Sequence, residues 1–196
     1  MPDCAKVPPH LPEQRPPLDL SLAFPAALRP AATALSAAWD PDRNLHSHTV
    51  TFEGEQLTIP SRVYFNPNLI WQPADHSQRQ QGIAWCLGTL HHSGYTREEC
   101  VRKMLAAPQP WMAPFIVQLI GEYVVEIVQP IADALPTLAP DMQRALARFV
   151  RDNPRYLNTI DSRTISYWMY YMQTYPERAG YPGVRAVNYL RALAAG

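Results

Sequence analysis

From residue 75 to the end of the chain, apolar residues recur at helical spacing between prolines and glycines that stop each run. A pattern with that period folds as helices packed on one apolar face. Ile83, Leu87 and Leu90 share one face of a helix expected over about residues 75–92, which Gly94 ends. Thr96-Arg97-Glu98-Glu99 has the form of a capping box, in which hydroxyl and carboxylate satisfy each other's orphan amides. It is expected to open a short helix with Cys100, Val101, Met104 and Leu105 inward. Pro110 suits the first position of the next helix, where the missing N–H has no partner to lose. Phe115, Ile116, Leu119 and Ile120 form that helix's buried stripe, and Gly121 breaks it. Val124, Ile127, Val128 and Ile131 continue on another helix. Pro140 opens a helix that buries Met142, Leu146, Phe149 and Val150 and closes before Pro154. Asp161 reads as the cap of a helix running to about Tyr175, and Pro182 opens the last one, to about Ala194.

Upstream the period changes. Val50 and Phe52 alternate with polar residues, and so do Leu57 and Ile59, on either side of Glu53-Gly54-Glu55. Alternation flanking a glycine turn predicts a β-hairpin, which Val63 and Phe65 would extend past Pro60. Ala26 to Trp39 reads as a helix interrupted early by Pro30 and ended at Asp40-Pro41. Residues 1–17 carry Pro2, Pro8, Pro9, Pro12, Pro16 and Pro17, which remove backbone donors and oppose helix. The expected organisation is a Pro-rich disordered tail over 1–25, a helix-plus-hairpin appendage over 26–73 and a helical domain over 75–196. The fold class is mainly α, with paired helices or an irregular helical bundle and a small N-terminal β-hairpin.

Within the helical part, Gly94, Glu99, Val101 and Met104 recur as Gly121, Glu126, Val128 and Ile131. Pro114 lies in the first helix of a pair, and the second ends in Ile131, Ala132, Asp133, Ala134 and Leu135. The stretch from Gly94 to Leu135 resembles HEAT-like helical repeats. It departs from them in its shorter period, since such units span ~40 residues, and in lacking an Arg after Glu126. The resemblance implies an α-solenoid fragment, whose common work is binding proteins. The string from Arg62-Val63-Tyr64 through His91-His92-Ser93-Gly94 to Gly121-Glu122-Tyr123 is also similar to uncharacterised bacterial proteins, and implies no activity.

The 196 residues suit one domain with at most a small addition, and need neither disulfide nor metal to bury a core. Apolar residues are 47% and charged residues only 17%, so the surface is thinly charged and suited to a partner. Net charge is zero and the only lysines are Lys6 and Lys103, which argues against general nucleic-acid binding. Cys4, Cys86 and Cys100 are too widely spaced for a CxxC pair and read as apolar thiols in a reducing cytosol. No secretory signal is expected. The apolar stretch from Trp111 to Leu135 is broken by Pro114, Glu122, Glu126, Pro130 and Asp133, too polar for a membrane span.

Candidate sites are few. Glu122 and Glu126, at i and i+4, would share a helical face; there they are either paired carboxylates for acid–base work or solvated partners of Arg97 and Arg102. His46 and His48 share a strand face but lack a third ligand, and His91-His92 fall at a helix C-terminus, where the dipole favours imidazolium. His10 and His76 stand alone. Neither a metal nor a cofactor is expected. Tyr167, Tyr171 and Tyr175 line one helix face, with Tyr170 beside them, opposite Ile165, Trp168, Met169 and Met172. Such a helix is either buried between two layers or presents a binding surface. Arg144, Arg148 and Arg151 form a basic stripe that suits solvent, an acidic partner or a phosphate backbone. No GxSxG, HExxH, P-loop or GxGxxG occurs.

The expectation is therefore a non-enzymatic protein-binding module of a bacterial cytoplasm, of immunity, inhibitor or adaptor type. Its partner would meet Tyr167, Tyr170, Tyr171, Tyr175, Arg144, Arg148 and Arg151. The alternatives are an enzyme with a dispersed carboxylate and histidine site, and a nucleic-acid binder using the Arg stripe.

Overall fold

The computed structural model describes residues 19–37, 39, 46–71 and 77–196. It is mainly helical, with one two-stranded antiparallel hairpin near the N-terminus. In chain order come α1 (Arg29–Ser36), β1 (Ser47–Phe52), β2 (Glu55–Pro60), α2 (Asn68–Trp71), α3 (Gln78–Gly88) and α4 (Gly94–Ala106). They are followed by α5 (Ala113–Ile120), α6 (Val125–Ala134), α7 (Pro140–Asp152), α8 (Pro154–Tyr170) and α9 (Pro182–Ala195). Among the described residues no helix is long and apolar enough to cross a membrane.

The hairpin forms where the alternation places it. Val50 pairs with Leu57 and Phe52 with Glu55, around a tight turn at Glu53 and Gly54. Both turn residues have positive φ, 51° and 84°, the geometry that a two-residue turn between right-twisted strands demands. Val50, Phe52, Leu57 and Ile59 are buried in the same apolar cluster that the helices fill. Past Pro60 the chain does not extend the hairpin. Val63 instead forms a parallel bridge to His91, donating its N–H to Leu90 at 2.8 Å and accepting from the His92 N–H at 3.2 Å. The hairpin is thereby bound to the end of α3.

Of the tail expected over 1–25, residues 1–18 lie outside the described residues, as do Cys4, His10 and the Asp40-Pro41 stop. Leu20–Ala23 form a short 3-10 helix capped by the Asp19 carboxylate. Leu20, Ala23 and Phe24 are buried, with the Phe24 ring 5.2 Å from Phe115 and 6.0 Å from Trp111. Pro30 does not interrupt α1; it sits in the first turn, where an N–H would have had no acceptor.

Helix boundaries depart from expectation at four places. Gly94 opens α4 rather than ending α3, so Thr96 lies inside the helix and caps nothing. The capping box is at Ser77 and Gln80, at the start of α3. α8 begins at Pro154, so Asp161 is internal; its carboxylate meets Arg191 of α9 at 2.8 Å. α8 ends at Tyr170, so Tyr175 stands beyond the helix, and its carbonyl accepts from the Trp168 indole at 2.9 Å.

Asn153, between α7 and α8, binds the hairpin to the helices. Its amide donates to the carbonyls of Thr51 and Phe149, both at 2.7 Å, and its Oδ1 accepts from the Thr51 N–H at 2.8 Å. Removing it leaves a half-buried strand donor and acceptor unpaired. Asn153→Ala is expected to lower the unfolding free energy by about 2 kcal/mol, measured by urea denaturation. A change within about 0.5 kcal/mol would show that the hairpin is held by apolar packing alone.

Candidate functional site

The strand-to-helix bridge at Val63 fixes where Arg62 goes. α5 ends at Gly121, and residues 121–124 cross to α6 as a loop, with the Glu122 N–H donating to the Leu119 carbonyl at 3.2 Å. Glu122 is thus not on a helical face with Glu126. It is buried at 6% exposure, where a lone carboxylate would be costly. Arg62 Nη2 donates to both of its oxygens, at 2.7 and 2.6 Å, and Arg97 Nη2 approaches Oε2 at 3.4 Å. Arg97 is itself buried, and its Nη1 donates to the His91 and His92 carbonyls, each at 2.8 Å. Burial pulls the Arg97 guanidinium below the ordinary arginine value, and the Glu122 charge opposes that pull.

These residues line a cleft of about 410 Å³ that also takes in Arg163 and Tyr167 of α8, and Tyr123. A cleft of that size suits a small ligand or a side chain. Gly121 makes it possible. A Cβ there would sit 2.9 Å from the Ile160 Cδ1 and 3.4 Å from the Arg163 Cδ, so the missing side chain is what lets α8 lay Arg163 over the loop. Arg163 makes no hydrogen bond or ion pair with any described residue. Three guanidinium groups therefore face one carboxylate, an excess of two positive charges. Several polar atoms around the cleft lack partners among the described residues. Arg97 Nε and Gln118 Oε1 are buried and unpaired, and so is the Tyr156 hydroxyl, which feels both the Arg163 and Glu122 charges.

The structure separates the other sequence candidates. Glu126 is exposed in the first turn of α6, and with Arg102 it lines a different cleft. His91 is buried and both ring nitrogens are used: Nδ1 accepts from the Ser93 N–H at 3.1 Å, and Nε2 lies 2.9 Å from the Phe65 carbonyl. Those partners require the neutral Nε2–H tautomer rather than the imidazolium expected from the helix dipole. Glu122, Glu126 and His91 thus do not converge. His48 has its Nε2 3.0 Å from the Ser61 hydroxyl. Among the described residues no group of three or more His, Cys, Asp or Glu is placed to hold a metal. His76 lies outside the described residues.

The tyrosines divide. Tyr181, at the start of α9, is fully buried, with Tyr171 stacked at 6.0 Å and Tyr175 edge-on at 5.5 Å. Tyr123 gathers Tyr167, Tyr170 and Tyr171 around its ring within 5.6 Å. Its neighbour Tyr170 is 71% exposed, as are Met169 at 59% and, just beyond α8, Met172 at 46%, so the apolar side chains at this end face outward. Arg144, Arg148 and Arg151 line a separate groove with Glu53 and Asp141. There Arg148 meets Glu53 at 3.8 Å, and Arg151 donates to the Ala194 carbonyl at 3.3 Å. Sequence reasoning singles out neither Arg62 nor Arg163: their relation to Glu122 is long-range, and no local spacing encodes it. The chain matches no family model, no curated protein and no solved structure in the comparisons made.

Two outcomes test this electrostatic arrangement. Glu122→Gln leaves the Arg97 charge buried without its counter-charge, and is expected to cost about 3 kcal/mol of stability in urea denaturation. A cost below about 1 kcal/mol would mean that solvent screens the pair. The second outcome concerns pH. Burial, reinforced by Arg163, lowers the His48 pKa, and burial lowers that of His91, both from an ordinary value of 6.5. The unfolded chain then binds more protons than the folded one below that value. Stability should be complete above pH 6.5 and fall as the pH drops toward the folded values. The slope should shrink in His48→Gln, and an unchanged slope would remove His48 from the cause.

Proposed function

We propose that this chain is a non-enzymatic binding module that docks an acidic protein partner, as an adaptor or inhibitor would. The observation that carries this reading is the cleft in which Arg62, Arg97 and Arg163 outnumber Glu122. A fixed cationic recess is matched by an anionic group from outside, and arginine presents planar donors suited to such a group. The surrounding surface supports the same reading. Tyr123 and Tyr167 line the cleft, the exposed Tyr170 packs against Tyr123, and Met169 and Met172 are exposed near the end of α8. Tyrosine is enriched at interfaces because it brings large area at little entropy cost, and methionine adapts to varied partners.

Acid–base catalysis is the weaker fit. Both oxygens of Glu122 are engaged by Arg62, and the ring nitrogens of His91 are engaged within the fold. A general base needs a free lone pair within reach of the proton it takes. The Arg144, Arg148 and Arg151 groove also carries Glu53 and Asp141, which dilute its positive field against a phosphate backbone.

The test is site-specific photocrosslinking in cells that make the protein, with a photoreactive residue at position 170. The expected result is one discrete protein adduct whose surface is acidic at the crosslinked site, and whose yield falls about tenfold or more in Arg163→Glu. Arg163 has no partner among the described residues, so that variant should melt like the parent. Full adduct yield in the folded Arg163→Glu protein would overturn the reading. So would substrate turnover abolished by Glu122→Gln.

A further inference from the structure

Resting on the docking reading above, we infer that the arginine cleft is a site for a phosphate monoester dianion, carried as a modification on the partner. Charge decides between the two common acidic groups. Glu122 neutralises one of the three guanidinium charges in the cleft, leaving an excess of two. A carboxylate would cancel only one of these. A phosphate monoester carries about −1.5 to −2 near neutral pH and has three strong acceptor oxygens. Charge is not the only match, because unused donors are also present. Among the described residues Arg163 makes no hydrogen bond, and the single bond of Arg97 Nη2 is the 3.4 Å contact with Glu122. Arg62 spends Nη1 on the Ser61 carbonyl and Nη2 on Glu122. Its two bonds to the carboxylate hold it at the cleft wall, where its charge is fixed in place.

The internal ion pairs shape this site rather than fill it. With Arg97 held by two backbone carbonyls and Glu122, it cannot swing out to solvent, so its charge faces the cleft without further ordering cost. Arg163 lays its stem over Gly121 and has no hydrogen bond or ion pair among the described residues, so its guanidinium donors remain available. Tyr123 and Tyr167 at the same cleft offer ring faces and edges to the body that carries the phosphoryl group.

The experiment uses the full chain and compares matched probes by calorimetry at constant ionic strength: phenyl phosphate, benzoate and inorganic phosphate. Phenyl phosphate is expected to bind about tenfold tighter than benzoate, the value of one or two additional charge-assisted hydrogen bonds. Arg163→Ala should abolish that difference while leaving the melting temperature unchanged, and Arg163→Lys should restore part of it. Inorganic phosphate should bind more weakly than phenyl phosphate, because it makes no contact with the tyrosines. Equal binding of phenyl phosphate and benzoate, or a preference that survives in Arg163→Ala, would overturn the proposal. Inorganic phosphate binding as tightly as phenyl phosphate would overturn the assignment to an ester.

Crosslinking at position 170 separates this proposal from the docking reading. In lysate treated with phosphatase before irradiation, an adduct that depends on Arg163 and still forms leaves the docking reading standing and removes the phosphoryl group. Failure of the adduct to form after that treatment supports both. Phenyl phosphate binding without any adduct supports the site and overturns the docking.

Discussion

A buried carboxylate is the constraint around which this fold closes. Glu122 has almost no solvent to stabilise it, so its charge must be met by protein donors. Those donors come from two places distant in sequence: Arg62, on the segment leaving the hairpin, and Arg97, in the first turns of α4. Arg97 also holds the carbonyls of His91 and His92, between α3 and α4. One carboxylate therefore locks the exit of β2, the α3–α4 turn and the α5–α6 loop to each other. Such a network adds little net stability compared with an apolar core, because desolvation offsets most of its Coulomb gain. Its effect is on register. A shift of the hairpin exit by one residue would remove the Arg62 side chain from Glu122 and leave a buried charge unpaired.

The apolar core supplies the energy that the ion pairs do not. α5 is buried along its whole length from Ala113 to Ile120, with neighbours in α6, α7 and α8. Burial of that kind is worth roughly 25 cal/mol per Å² of apolar surface, far more in total than any single ion pair. A rigid surround of this type is what allows an excess of positive charge to persist at its edge. The three guanidiniums repel one another, and only fixed helices on either side keep them facing a common space. Gly121 is the local condition: with any side chain there, Ile160 and Arg163 would have to move.

Much of the architecture is legible in the sequence. Prolines 110, 140, 154 and 182 stand in the first turns of helical segments, where missing donors cost nothing, and alternation with Glu53-Gly54 marks the hairpin. The Ser77–Gln80 capping box was also readable by its spacing, whereas the similar string at Thr96 misleads because Gly94 had already started the helix. Glu122 and Glu126 mislead for another reason. Their i, i+4 spacing has meaning only if the helix runs through both, and Gly121 ends it just before. The cleft itself is illegible locally. Arg62 lies 60 residues from Glu122 and Arg97 lies 25 away. Arg163 sits in an ordinary polar stretch of α8 that gives no sign of what it faces.

The same division runs through the tyrosines and decides which of them can take part in binding. Helical spacing predicts one column through Tyr167, Tyr171 and Tyr175, but a column needs a helix, and α8 ends at Tyr170. Beyond that point the chain turns back, and the buried Tyr181 gathers Tyr171 and Tyr175. Burial raises the phenol pKa of both Tyr181 and Tyr171, keeping them neutral as packing groups. Tyr167 and Tyr170 are left on the other side of this divide, against Tyr123, and Tyr167 lines the arginine cleft. A tyrosine whose ring faces a half-exposed cluster can rearrange to meet a ligand, while the fully buried Tyr181 cannot without opening the interior. The sequence of α8 therefore encodes two roles a single turn apart: its last helical residues present a surface, and the residues after it close the fold.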